Sequence, residues 1–137
     1  MSIEYAELLL SRAKRYLESA MSNLVSNRFD VAIVEAEIAT QLALKAFIVK
    51  LGFEPPRTHM IRQLLSFIID NKLLPNEVLE DIKKFIKRNR EKLIIVERAR
   101  IVGQYGASSI DYDEAEITVN SAKEVLNIVE KLWKMVV

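Results

Sequence analysis

The sequence predicts an all-α protein, an up-and-down bundle of five helices forming one domain over residues 1–137. Three observations predict it. Glycine and proline, the residues that punctuate helices, number only three each and gather at a few places: Gly52 with Pro55 and Pro56, then Pro75, then Gly103 with Gly106. Between those places apolar side chains recur every three or four residues, the helical spacing. Period-two alternation is missing throughout, so no strand is expected. With 50% of its residues hydrophobic, the chain can bury a core of the size one domain needs. The short connections make most neighbouring helices antiparallel.

The first helix is expected over about 3–25. Tyr5, Leu9, Tyr16, Ala20 and Leu24 lie on one side with Ala6, Ala13, Leu17 and Met21 adjoining, while Arg12, Lys14, Arg15 and Glu18 face outward. The second, over about 30–51, reads "DVAIVEAEIATQLALKAFIVKL", alanine-rich and apolar nearly all round, as suits a central helix that others approach closely. Its polar exceptions, Glu37, Gln41 and Lys45, recur every four residues and form one stripe. The third follows "GFEPPR", with Thr58 as its expected cap and Met60, Ile61, Leu64, Leu65, Ile68 and Ile69 as paired apolar steps, and it ends near Asn71. The fourth starts at Pro75 and is expected to run to Val102, its seam of Ile82, Phe85, Ile86, Leu93 and Val96 interrupted at Asn89. Either Gly103 or Gly106 then serves as a left-handed cap. The fifth is capped by Asp111 or Asp113 and sets Ala115, Val119, Ala122, Leu126, Val129, Trp133 and Val136 in a heptad-like line.

Composition excludes several classes of function. The chain has no cysteine and a single histidine, which rules out a disulfide framework and leaves too few ligands for a structural zinc site; no metal or cofactor is expected. The N-terminal "MSIEYAELLLSRAKR" has an acidic residue ahead of a short apolar run, and no apolar stretch approaches the roughly 18 residues a membrane span requires, so a soluble cytoplasmic protein without membrane association is expected. Formal net charge is only +1, and any affinity for nucleic acid must come from uneven distribution.

That distribution is uneven. Between Ile82 and Arg100 eight basic residues (Lys83, Lys84, Lys87, Arg88, Arg90, Lys92, Arg98, Arg100) stand against two acidic ones (Glu91, Glu97). Asp111, Asp113, Glu114, Glu116 and Glu124 follow against Lys123 alone, and the plainest account is two solvated faces that pair with each other. Arg98 and Arg100 ask for more. They follow the apolar "LIIV" of Leu93, Ile94, Ile95 and Val96, wider than one core face requires and therefore a candidate dimer interface, and a groove there would hold guanidiniums in a partly dry setting suited to phosphate. The alternative is simple stabilisation of a helix C-terminus by cations. His59, the only imidazole, is the one side chain with an ordinary pKa near neutrality and hence a candidate for proton transfer; equally, it is a polar residue at a helix start. Glu37 with Gln41 reads as a buried polar pair rather than an acid/base couple.

The run "AKRYLESAMSNLVSNRFDVAIVEAEIATQLALKAFIVKLGFEPPRTHMIRQLL" resembles the first three helices of a HEPN domain (higher eukaryote and prokaryote nucleotide-binding). The resemblance is carried by Leu44-Lys45-Ala46 closing an alanine-rich helix, the turn at Gly52, and Thr58-His59 ahead of Leu64-Leu65. It implies a HEPN-like bundle, commonly a homodimer, often encoded beside a minimal nucleotidyltransferase in toxin–antitoxin pairs. Many members are metal-independent endoribonucleases whose signature is an arginine followed four to six residues later by histidine at the end of the long fourth helix, two copies meeting across the dimer. Nucleotidyltransferase-paired members often add a tyrosine two positions beyond that histidine, with one residue between. On "RARIVGQY" the arginine falls on Arg98, the tyrosine on Tyr105, and the histidine position is Gly103. Glycine exchanges no proton, so phosphate binding by arginine survives this departure whereas the usual activation of a ribose 2′-hydroxyl does not, unless His59 or Tyr105 substitutes.

The function expected is therefore a homodimer that binds nucleotide or RNA phosphate through Arg98, Arg100, Tyr105 and Lys45 and works with a nucleotidyltransferase. Two alternatives stand beside it: a metal-independent endoribonuclease toxin using Arg98 with His59 or Tyr105, and a helical protein-interaction module with no ligand.

Overall fold

The computed structural model describes residues 2–136, and over them the chain is all-helical. The order is α1 (Ile3–Val25), α2 (Phe29–Lys50), α3 (Ile61–Asp70), α4 (Asn76–Arg88), α5 (Arg90–Tyr105) and α6 (Tyr112–Met135). Helix α2 is the axis: it touches α1, α3, α5 and α6. Its small side chains make this possible. Ala32 and Ala36 meet Ala20 of α1 and Val119 and Ala122 of α6 in one close crossing, and Ile33 meets Ala99 of α5 and Ala115 of α6 in another. The main core lies toward the other end of α2, where Leu44, Phe47 and Ile48 pack with Ile61 and Leu64 of α3, Leu93 and Val96 of α5, and Val125 and Val129 of α6.

Six helices replace the five expected because the long fourth one breaks at Asn89. Its backbone there, at φ −112° and ψ 18°, leaves the helical region. The Asn89 side chain donates to the Phe85 carbonyl at 3.0 Å, the same oxygen its backbone N–H reaches at 3.0 Å. A short amide that competes locally for a helix carbonyl is a known cause of such a bend. The break divides the apolar seam: Leu79 and Ile82 of α4 face α3, while Leu93, Val96 and Ala99 of α5 turn onto α2. An apolar cavity of about 340 Å³, walled in part by Phe47, Val78, Phe85 and Ile128, remains between α4 and α6.

The caps also differ in places. Asp111 caps α6 as expected, accepting from the Glu114 N–H at 2.9 Å. Helix α3 starts later than the sequence suggests, with Met60 at the cap position and 39% exposed, so it is not a core step; Thr58 instead closes a local turn, accepting from the Met60 N–H and donating to Gln63. Neither Gly103 nor Gly106 is left-handed. Helix α5 runs through Gly103 to Tyr105, and Gly106 is extended at φ −60° and ψ 143°. Gly103 is required by closeness rather than by φ: a β-carbon there would stand 2.7 Å from the Asp30 carbonyl oxygen and 2.6 Å from Val34 Cγ2. Tyr5, Tyr16 and Met21, expected on the inner side of α1, sit at its edge and are exposed.

Candidate functional site

The polar stripe of α2 is the centre of the site. Glu37 and Gln41 are 1% and 7% exposed, on a helix whose other buried residues are apolar apart from Thr40. The Gln41 Nε2 donates to both carboxylate oxygens of Glu37, at 3.1 and 3.3 Å. Gln41 Oε1, at the other end of the same amide, accepts from Lys45 Nζ at 3.3 Å and lies 2.8 Å from His59 Nδ1. Lys45 carries only donors, so the amide end it meets is the oxygen, and the ring nitrogen on that oxygen must be the protonated one. His59 is thereby held with Nδ1–H toward Gln41 and the Nε2 lone pair free.

Arg100 enters from α5. The close approach at Gly103 sets α5 against the first turns of α2, and a turn earlier on α5 the half-buried Arg100 guanidinium acts on Glu37, Lys45 and His59 alike. Burial drives the Glu37 carboxyl up from 4.5 to about 7, against the downward pull of Arg100, of the Gln41 hydrogen bond and of Lys45. Burial likewise lowers Lys45, opposed by Glu37 and helped by Arg100. His59 is lowered by desolvation first and then by the Arg100 and Lys45 charges, which keeps its ring neutral near pH 7. Glu37, Lys45 and His59 thus share one amide hub, and the Arg100 charge reaches all three.

Of the residues expected at a site, Lys45, His59 and Arg100 come together here. Arg98 does not: it is exposed, and it is not among the charges that act on Glu37, Lys45 or His59. Tyr105 is 76% exposed at the end of α5, outside the cluster. Counted from Arg100, the residue after four others is Tyr105, so in neither register does a histidine follow. The cleft around Gly103 and Gly106 has Asp30 as its only charged lining residue, which makes it unfit to cradle a phosphate. The "LIIV" run also divides. Leu93 and Val96 belong to the core of the chain itself and are not available to a second copy, because α5 turns that edge onto α2. Ile94 is half-buried and Ile95 is 40% exposed.

One pair escaped the sequence altogether. Glu97, whose side chain is 4% exposed, accepts from Arg62 Nε at 2.9 Å and Nη2 at 3.0 Å, and its Oε1 also accepts from the Arg62 backbone N–H. This carboxylate takes up a first-turn amide of α3 and locks α3 onto α5, just beyond His59 in the chain. Thirty-five positions separate the partners, and no local pattern announces such a contact. The expected pairing of the basic run with the acidic start of α6 is not formed: among the described residues the ion pairs are Lys14–Glu130, Arg62–Glu97 and Lys83–Glu80. The α4 bases face solvent because α4 packs on α3 and α5 and leaves α6 across the cavity.

Comparison with known proteins places these features in context. The model of the HEPN domain matches residues 6–132. Among solved structures, the crystal structure of TT1696 from Thermus thermophilus is similar with a TM-score of 0.70 at 22% identity, covering 92% of this chain and 96% of that one. That likeness is one of fold. No curated protein matches the chain. No helix among the described residues is long and apolar enough to cross a membrane, and no group of three or more histidine, aspartate or glutamate side chains is placed to hold a metal ion.

Proposed function

The chain belongs to the HEPN domain family, and from that premise we propose that it is a phosphate-binding module, holding a nucleotide or an RNA backbone on Arg100 and Lys45 with His59 alongside. The observation that carries this reading is the meeting of Lys45 of α2 and His59 of the α2–α3 connection on the Gln41 amide, with the half-buried Arg100 guanidinium of α5 near enough for its charge to act on both. A half-buried guanidinium presents a fixed fork of donors to phosphate oxygens, and partial desolvation strengthens the bond. Arg98 and Tyr105 lie on the outer face of α5 with Ile94 and Ile101, spaced at three and four residues. In our reading that face meets a second copy, and Arg98 and Tyr105 line the rim of the groove between the two. The family's frequent pairing with a minimal nucleotidyltransferase supports the further proposal that such an enzyme is the partner, in a toxin–antitoxin arrangement.

The test is equilibrium binding of single-stranded RNA and of ATP at several salt concentrations. Affinity should fall steeply as salt rises, and Arg100→Ala should weaken it by about tenfold or more, the cost of a charge-assisted phosphate contact of ~1.5–3 kcal/mol. Arg98→Ala should cost less. Binding that is indifferent to Arg100→Ala and to Lys45→Ala would show the phosphate site to lie elsewhere.

A further inference from the structure

We infer that the site takes up a proton together with its phosphate, and that Glu37 is the group that carries it. The inference rests on the phosphate reading and names what that reading leaves unexplained: a carboxyl with no access to water among cations meant for another anion.

Glu37 is 1% exposed, and its hydrogen-bond donor is a single neutral amide nitrogen spread over both oxygens. Among the described residues no cation stands within ion-pair distance of it. Its compensation is longer-ranged and comes from two charges, Arg100 on α5 and Lys45 on α2. These are the same two that a phosphate would engage. The remaining charged groups at the site do not help: His59, on the α2–α3 connection, is neutral, and Arg62 of α3 is spent on Glu97 of α5. Helices α1 and α6 also pack on α2, and no charged group of theirs is among those acting on Glu37.

When a phosphodiester settles on the half-buried Arg100 and Lys45, it takes up the two charges that compensate Glu37 and brings a like charge beside it. Both effects add to the burial that already disfavours the Glu37 carboxylate. A phosphodiester stays ionised at every pH at which proteins fold, whereas burial already raises the Glu37 carboxyl to about 7 against the pull of Arg100, Gln41 and Lys45. Like charges in one site drive the weaker acid to keep its proton. Glu37 is therefore protonated in the complex. Its carbonyl oxygen still accepts from Gln41, whose orientation Lys45 fixes, so the hub that positions His59 survives the change.

The experiment is calorimetric titration of the whole protein with a short oligoadenylate bearing hydroxyl ends, whose linkages do not titrate near neutrality. It is run in buffers of different ionisation enthalpy, which reveals protons taken up. At about pH 8 uptake should approach one proton per site, and affinity should rise about tenfold per pH unit toward neutrality, levelling off once the free protein is itself protonated. Glu37→Gln should bind more tightly at about pH 8 with no uptake. Counted per oligoadenylate bound, His59→Gln should keep the uptake whatever its affinity. As a check independent of any variant, the Glu37 carboxyl carbon observed by NMR should move to its protonated position on addition of the oligoadenylate. Zero uptake across the range, uptake unchanged by Glu37→Gln, or uptake per bound oligoadenylate lost in His59→Gln would each overturn the inference. If Arg100→Ala weakens binding and no proton is taken up, the coupling alone fails; if Arg100→Ala leaves binding unchanged, the phosphate site fails with it.

Discussion

At the scale of single residues the site is built on a conflict, a carboxylic acid kept in the core of an apolar helix. Glu37 has its carboxyl raised from 4.5 to about 7 chiefly by burial, so between those values the folded chain binds a proton that the unfolded chain has released. Stability from this group is therefore greatest at the acidic end and is lost as pH rises through the window. Glu37→Gln, which keeps the shape and removes the charge, should stabilise the protein at about pH 8 by roughly 1–3 kcal/mol and flatten the pH dependence, as read by denaturant melts at several pH values. A Glu37→Gln melt that stays as pH-dependent as the parent would show that another group carries the effect. The stripe of Glu37, Gln41 and Lys45 was legible in the sequence, because polar residues four apart on an otherwise apolar helix must share a face. The choice between Arg98 and Arg100 was not. Two residues differ by more than half a turn, and only the seating of α5 on α2 decides which one points inward.

At the scale of elements, the decisive contact is a glycine in mid-helix. Alanine in place of Gly103 would gain about 1 kcal/mol of helix propensity, yet its β-carbon would stand 2.7 Å from the Asp30 carbonyl, a backbone atom that cannot swing aside. Overpacking of this kind costs ~1–3 kcal/mol, so Gly103→Ala should be destabilising on balance and Gly103→His should prevent α5 from seating at all. Thermal melts of the first and the soluble yield of the second test this; a stable, helical Gly103→His protein would refute the close approach. The position that the family resemblance assigns to a histidine is closed for this reason, and the chain's only imidazole comes from the α2–α3 connection instead. Glu97 holds that connection's far end. Its loss in Glu97→Ala would leave Arg62 unpaired and an α3 amide without its acceptor, and should cost roughly 2 kcal/mol of stability, as read by denaturant melts. Unaltered stability in that variant would mean that the fork contributes nothing.

At the scale of the whole molecule, the proposed second copy docks on the outer face of α5, where Ile101 is 57% and Tyr105 76% exposed beside the half-buried Ile94. Ile101→Glu with Tyr105→Glu should halve the mass seen by light scattering while circular dichroism stays helical; a mass unchanged by both substitutions would place the dimer contact on another face. Leu93 and Val96 were expected on that surface because a four-residue apolar run looks wider than one core needs. In the bundle two of the four residues face inward and two do not, as helical spacing requires once the direction of the core is known. The sequence by itself determined that this chain is a bundle of helices with an alanine-rich central one and a polar stripe along it, since these follow from local spacing and punctuation. What the tertiary structure decided is everything that depends on rotation and approach between helices: the close approach at Gly103, the fork from Glu97 to Arg62, and the meeting of Arg100, Lys45 and His59. The physical reason is that helix periodicity fixes which residues share a face, while only packing fixes what that face meets.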